Sequence, residues 1–252
     1  GMGWFFLRMG ERIWKKSTLK WLFTIFATML PQSLFLFSYL NNDAMALMAT
    51  SMILYAWVLG RDTGWSYPAC IWMAIGIIVC ALTYYNAYGV ILASIFLFLG
   101  TMACQWRDKE KRWDLLKKGI LISVIVLLGI GWWFIRNYML YDGDFLGLTT
   151  AESYSQMYAI DSIKPSNRQT PYLLGQSLWE MIFAREWLKV TVISFIGCFG
   201  YVSIPLKMWM YILYVIIMGA GLVASVCYVA RQRKVEWRDR LLVMAMILTA
   251  LI

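Results

Sequence analysis

The stretch Gly119-Ile120-Leu121-Ile122-Ser123-Val124-Ile125-Val126-Leu127-Leu128-Gly129-Ile130-Gly131-Trp132-Trp133-Phe134-Ile135 carries no charge, and it lies between Lys117-Lys118 and Arg136-Asn137. About 20 mainly apolar residues in a helix cross the hydrocarbon of a bilayer, with a usable lower limit near 17. Lipid offers no hydrogen bonds to the backbone, so such a block must satisfy its N–H and C=O groups internally, as a helix does. Blocks of the same kind lie on either side: Trp21–Tyr39, Ala44–Gly60, Tyr67–Tyr84, Ala87–Cys104 and Met208–Ala230, with a shorter run at Leu241–Ile252. Alternating strands of about ten residues, the mark of a membrane barrel, are not visible. The expectation is an all-α fold, a polytopic transmembrane helix bundle of about six full spans plus a truncated last one. An extracytoplasmic loop with interfacial helices is expected between Arg136 and Lys207.

Composition agrees. Of the 252 residues, 61% are hydrophobic and 15% charged, against roughly 45–50% and about 25% in a soluble domain. The lipid bilayer is therefore the first partner. The net charge of +9 is not a nucleic-acid surface, because the basic residues cluster between apolar blocks and read as topology. The absence of His excludes His-based catalysis and His metal sites. Cys70, Cys80, Cys104, Cys198 and Cys227 form no CxxC pair and read as small apolar residues. The chain opens without an obvious secretory signal. The last run of 12 residues reaches only about 18 Å as helix, so the sequence is expected to be a fragment of a longer protein.

Orientation follows from Lys/Arg bias in short loops. With the N-terminus cytoplasmic, the inner segments are 1–20, 60–64, 105–118 and 231–240. They hold 17 of the 23 basic residues, and the outer segments hold Arg136, Lys164, Arg168, Arg185, Lys189 and Lys207. This assignment makes Val190–Ile204 interfacial or re-entrant, since a crossing there would place 231–240 outside. Pro31 removes a backbone donor, so the first block is expected to break near Leu30. The expected regions are a basic cytoplasmic segment 1–20, a five-helix region 21–135, an extracytoplasmic segment 136–207 and a C-terminal membrane region 208–252. Within the third, Glu152–Pro171 reads as loop and Tyr172–Trp187 as an amphipathic interfacial helix. Trp21, Trp65, Trp106, Trp132, Trp133 and Trp209 lie near block ends and suit an aromatic belt.

In this topology three polar clusters share the outer side: Asn41-Asn42-Asp43, Tyr84-Tyr85-Asn86, and Arg136-Asn137 with Tyr141-Asp142-Gly143-Asp144. An ionisable group at membrane depth is costly and marks a site. The candidate substrate-binding residues are Asn42, Asp43, Tyr85, Asn86, Arg136, Asn137, Tyr141 and Asp144. Each also has a plain reading. Asn42 can cap a helix that Asp43 favours through its dipole. Tyr84-Tyr85-Asn86 can be a tight turn, Arg136 can snorkel to lipid phosphate, and Tyr141–Asp144 can be a polar turn.

Leu30-Pro31-Gln32 leading to Ser38-Tyr39-Leu40-Asn41-Asn42-Asp43-Ala44 resembles a segment of GT-C-type membrane glycosyltransferases. It is similar above all to a related family of bacterial membrane proteins of unknown function. Trp132-Trp133-Phe134-Ile135-Arg136-Asn137, then Tyr141 and Gly143-Asp144-Phe145-Leu146-Gly147, resembles the same group's Trp…Arg-Asn…Tyr-Gly-Asp-Pro-x-Gly pattern. Phe145 stands where Pro is usual, and Asp142 is extra. Ser194-Phe195-Ile196-Gly197-Cys198-Phe199-Gly200-Tyr201 is similar to a third element of that family, and Tyr84 stands where Lys is often found.

The resemblance implies a transferase in the bacterial inner membrane, facing outward and taking sugar from a polyprenyl-phosphate-linked donor. It implies a catalytic carboxylate in the first external loop, which has no counterpart in residues 1–20, so the acid or base is expected outside this sequence. Arg136 would bind carrier phosphate. Asp43 or Asp144 would orient sugar hydroxyls, hold a divalent cation or position Arg136, and Trp133 and Tyr141 would stack on a sugar. Two other functions compete. A transporter or flippase of lipid-linked substrate would show broken helices and internal repeats, and a non-catalytic membrane assembly component would lack the external carboxylate altogether. The topology itself is testable: an impermeant amine reagent added from outside should leave Lys234 unmodified.

Overall fold

The computed structural model describes residues 1–168, 170, 173–183, 186–200, 203–231 and 236–251, with backbone alone for residues 178, 225, 226, 228–231, 250 and 251. It is helical almost throughout. The chain divides into two compact units, Gly1–Gly129 with Leu206–Ile252, and Ile130–Pro205.

The first unit contains α1 (Met2–Ile13), α2 (Ser17–Thr28), α3 (Pro31–Phe37), α4 (Asn42–Thr63), α5 (Tyr67–Thr83) and α6 (Gly89–Cys104), then the start of α7 (Lys109–Leu140). After the second unit come α11 (Met208–Arg231) and α12 (Trp237–Leu251). Pro31 breaks the first block as expected. Leu30 is extended, Pro31 opens α3, and α2 and α3 meet at 64°. Asn41, and not Asn42, caps α4: its side-chain oxygen accepts the Ala44 N–H at 2.8 Å. Gly64, at φ 66°, ends α4 in the left-handed conformation, which costs glycine nothing.

Three helices are long and apolar enough to cross a membrane: Asn42–Thr63, Tyr85–Cys104 and Lys109–Leu140. A fourth is gained if the bent pair Ser17–Thr28 and Pro31–Phe37 is one span. The expected six spans are not supported. The apolar helix Tyr67–Thr83 is shorter, and 17 helical residues reach only about 25 Å. Hydropathy alone counted it as a full block because it does not see where a helix stops, as α5 does where Tyr84 turns extended.

The core forms where α4 and α5 pack antiparallel. A Cβ on Gly76 would meet Ile53 Cγ1 at 2.6 Å and the Ala49 carbonyl oxygen at 3.5 Å, so the glycine sets how closely the two backbones approach. Trp57 and Trp65 are fully buried. Their indole N–H groups donate to Ser94 Oγ at 3.0 Å and Thr101 Oγ1 at 3.3 Å on α6. Trp65 was expected in an interfacial belt; it belongs to the core instead. α1, read as a basic segment from its sequence, is an amphipathic helix that inserts Phe5 and Met9 into this core. Phe5 meets Tyr55 and Trp72 edge-on or tilted, at 6.0 and 5.5 Å.

The four segments expected to share one side do meet at one end of this unit. Arg12 pairs with Asp62 at 3.5 Å, Arg61 pairs with Asp239 at 2.5 Å, and Arg238 donates to the Arg61 carbonyl at 3.1 Å. Asp62, Lys111, Lys118 and Arg238 line one polar basin there. Arg107–Lys118, expected as loop, is helical from Lys109 onward, and its Asp114–Lys118 pair at 2.5 Å sits one turn apart.

The second unit carries the end of α7, then α8 (Leu148–Tyr158), single 3-10 turns at Asp161–Ile163 and Pro165–Asn167, α9 (Leu178–Phe183) and α10 (Trp187–Gly197). A two-residue hairpin follows, β1 (Cys198–Phe199) against β2 (Ile204–Pro205), pairing Cys198 with Pro205 and Phe199 with Ile204. Glu152–Pro171 is therefore not all loop, since α8 continues to Tyr158. The amphipathic helix expected over Tyr172–Trp187 shrinks to α9. It starts in a reciprocal cap, in which the Ser177 N–H donates to Glu180 Oε2 at 2.8 Å and the Glu180 N–H donates to Ser177 Oγ at 3.3 Å, as in the Ser-x-x-Glu capping box. α10 has 11 residues, about 16 Å of helix, too little to span. Lys234 lies outside the described residues.

Replacing Gly76 by Val should lower the thermal stability of the purified protein by about 1–3 kcal/mol, read as a fall in melting temperature in detergent; an unchanged melt would mean the α4–α5 approach is not tight.

Candidate functional site

The eight candidate residues fall in both units: Asn42, Asp43, Tyr85 and Asn86 in the first, and Arg136, Asn137, Tyr141 and Asp144 in the second.

In the first unit the antiparallel α4–α5 pair places the start of α4 at the same end as the close of α5. Tyr55 lies beside Trp72, and Ile53 beside Gly76; continuing that register brings Asn42-Asp43 level with the Tyr84–Asn86 turn. Asn42 is exposed and Asp43 is half-buried in the first turn of α4, where a carboxylate favours the helix dipole. The turn is a single 3-10 helix, Tyr85–Ala87. Asn86 Nδ2 donates to the Tyr84 hydroxyl oxygen at 2.7 Å, and the Tyr84 and Tyr85 rings lie 5.7 Å apart. Tyr88 donates its hydroxyl to the Ala81 carbonyl at 2.8 Å and ties the turn to α5. Tyr85 remains exposed. Polar and aromatic groups thus gather in the turn that closes α5.

In the second unit the end of α7 folds back on itself. Asn137 is 2% exposed and spans the turn, its Nδ2 donating to the Phe145 carbonyl at 3.2 Å. The backbone reverses through Asp142, at φ 49°, and Gly143, at φ 93°. Phe145 packs edge-on to Phe134 at 6.1 Å. Asp144 accepts the Thr150 N–H at 2.8 Å and so caps α8 from three residues before the glycine that opens it. The Thr150 N–H, with smaller contributions from the Thr150 hydroxyl and the Gly147 and Leu148 amides, holds the Asp144 carboxyl below the usual carboxylate range. Tyr141 is partly exposed, and its N–H donates to the Asn137 carbonyl.

Arg136 is exposed at this turn. Its guanidinium lies 5.2 Å from the Trp133 ring centre, and Nη1 donates to Asn137 Oδ1 at 3.2 Å. No carboxylate among the described residues pairs with it. Trp133, read from the sequence as a sugar platform, therefore serves as a platform for Arg136. The capping role of Asp144 escaped the sequence reading, although Asp144 ahead of the Gly147-Leu148-Thr149-Thr150 helix start was its signal. The buried Lys118 was also missed; its signal was Asp114 four residues earlier.

Among the described residues no group of three or more His, Cys, Asp or Glu is arranged to hold a metal ion. None of the five cysteines forms a disulfide. The chain matches no family model, no curated protein and no solved structure.

The turn makes a pH-dependent statement. A carboxyl with a folded value below its unfolded one stabilises above the unfolded value, and that contribution is lost as pH falls through the folded one. Amide exchange at Thr150 should be slow at neutral pH and accelerate below the ordinary carboxylate range, and Asp144→Asn should flatten that acid dependence. Asn137→Ala leaves the Phe145 carbonyl unpaired and should cost about 1–3 kcal/mol in the stability of the same turn.

Proposed function

We propose that the chain is an integral membrane glycosyltransferase-like protein that uses a polyprenyl-phosphate-linked sugar on the extracytoplasmic side, with Arg136 as the cation that binds the carrier phosphate. One observation carries the reading: Arg136 has a fixed orientation and a free charge. Trp133 supports one face of the guanidinium and Asn137 engages one nitrogen, while no described carboxylate neutralises it. A guanidinium has five donors in a rigid fork that matches phosphate oxygens. An Arg serving only a salt bridge would spend those donors on a carboxylate. The sequence resemblance around Trp132–Gly147 supports the donor class, and the long apolar helices support a lipid-borne substrate.

In this reading Asn137 and Asp144 are positioning groups. Asn137 holds Arg136 against a turn that is itself pinned, and Asp144 fixes the helix that follows. Asp43 and the Tyr85-Asn86 turn form a polar surface of their own in the first unit. A transport reading has one specific support, the 64° break between α2 and α3, since broken helices line many carrier sites. Assays separate the two: a transporter moves the lipid-linked sugar across a sealed bilayer without breaking the phosphate–sugar bond.

Arg136→Gln should lower transfer from a polyprenyl-phosphate sugar at least about a hundredfold, in line with the loss of about 3 kcal/mol from a charge-assisted phosphate contact, while membrane insertion stays normal. Unchanged transfer removes Arg136 from the site.

A further inference from the structure

The first unit has a groove that the reading above leaves unused. It is about 390 Å³ and lies between α5, α6 and the first half of α7. Its walls include Met73, Ile77, Phe98, Leu99 and Ile120. Its one buried polar side chain, Ser94, is already committed, donating to the Val90 carbonyl at 2.7 Å and accepting from Trp57. Nothing in that wall asks for a polar ligand. Leu99 and Ile120 are about half exposed, so the groove opens sideways from the helices.

Leu115 lines this groove and also a second, polar basin of about 390 Å³. The basin is formed by the end of α4, the start of α7 and the start of α12, and it includes Asp62, Lys111, Asp114, Lys118 and Arg238. Its carboxylates are already engaged: Asp62 by Arg12 and Arg61 at 3.5 and 3.0 Å, and Asp114 by Lys118 at 2.5 Å. Arg238 donates one N–H to the Arg61 carbonyl and has no carboxylate partner among the described residues. Lys111 pairs with Asp108 at 3.0 Å on the exposed start of α7, so Arg238 is the basin cation left without a carboxylate among the described residues, and three cations face two carboxylates in the lining. An apolar slot with a cationic mouth, sharing one side chain as its boundary, has the polarity profile of a phospholipid.

We infer that this groove and basin form a binding site for an anionic phospholipid, with an acyl chain between α5, α6 and α7 and the headgroup phosphate against Arg238, Lys111 and Lys118. The site belongs to the end where the four basic segments meet. It needs neither the Arg136 turn nor the transferase reading. Basic residues near a membrane surface contribute about 1 kcal/mol each toward anionic lipid, or roughly fivefold in affinity. The apolar slot adds retention without selecting the headgroup.

The test is native mass spectrometry of the full chain in detergent, offered equal amounts of dioleoyl phosphatidylglycerol and dioleoyl phosphatidylcholine. Phosphatidylglycerol should be retained with at least about a fivefold preference. Arg238→Gln and Lys111→Gln should each reduce that preference about fivefold, and Ser123→Trp, which fills the groove, should expel both lipids. Circular dichroism and the melting temperature of each variant should match the parent, which separates lost binding from lost fold. Equal retention of the two lipids overturns the site. So does a preference that survives both charge substitutions, or displacement of phosphatidylglycerol by inorganic phosphate alone. A doubled mass abolished by Ser123→Trp, without lipid selectivity, assigns the groove to a second copy and overturns it as well.

Discussion

An indole N–H buried among apolar helices has no water to bond, and leaving it unpaired costs a few kcal/mol, a large part of what the ring gains by packing. The first unit meets this demand twice with the same device. Ser94 and Thr101 each donate their hydroxyl to a carbonyl one turn earlier in α6, at 2.7 and 2.8 Å, and thereby free an oxygen lone pair to accept from Trp57 and Trp65. The two hydroxyls are seven residues apart, two turns, so both face the same side of α6. The indoles come from α4 and from the turn after it. Two hydrogen bonds thus fix the rotation and the vertical register of α6 against α4, where apolar packing alone would tolerate sliding. Gly76 then lets α5 close on α4.

The parts of this arrangement that were legible in the sequence are those governed by local rules. Pro31 announced its break because a missing donor acts within one turn. The four basic segments announced their common end because Lys and Arg concentrate on one side of a membrane; the structure joins three of them through Arg12–Asp62 and Arg61–Asp239 and sets Lys111 and Lys118 of the fourth on the same basin. The span count was not legible. An apolar run looks the same whether its helix continues or, like α5, stops when one tyrosine turns extended. Trp65 read as an interfacial residue from its position at a block end, and only the partner hydroxyl on α6, 36 residues on, makes it a core residue.

The candidate site divides in the same way. Polar residues clustered at block ends were visible, and so was the unusual Arg136-Asn137 pair. What each side chain does was hidden, because it depends on contacts across turns. Asn41 rather than Asn42 caps α4, a distinction of one residue set by where the helix begins. Asn137 is committed to the Phe145 carbonyl and Asp144 to Thr150, so the turn spends these two groups on its own shape, while the Arg136 guanidinium has no carboxylate partner among the described residues. Tyr141–Asp144 is the polar turn its composition suggests, and it also starts the next helix, because Asp144 supplies from a distance the acceptor that Gly147 lacks.

The seam between α6 and α12 is made by parts of the chain synthesised far apart. Leu241 settles over Gly100, where a Cβ would come within 3.0 Å of it, and Asp239 reaches back 178 residues to Arg61. A ribosome adding roughly 5–20 residues per second takes on the order of ten seconds between finishing α6 and producing α12. Throughout that interval the nascent bundle presents an unsealed flank and an arginine without its distal carboxylate. Insertion machinery that shields that flank until the last helix emerges would therefore govern the yield of correctly assembled protein, more than the intrinsic helicity of any one segment.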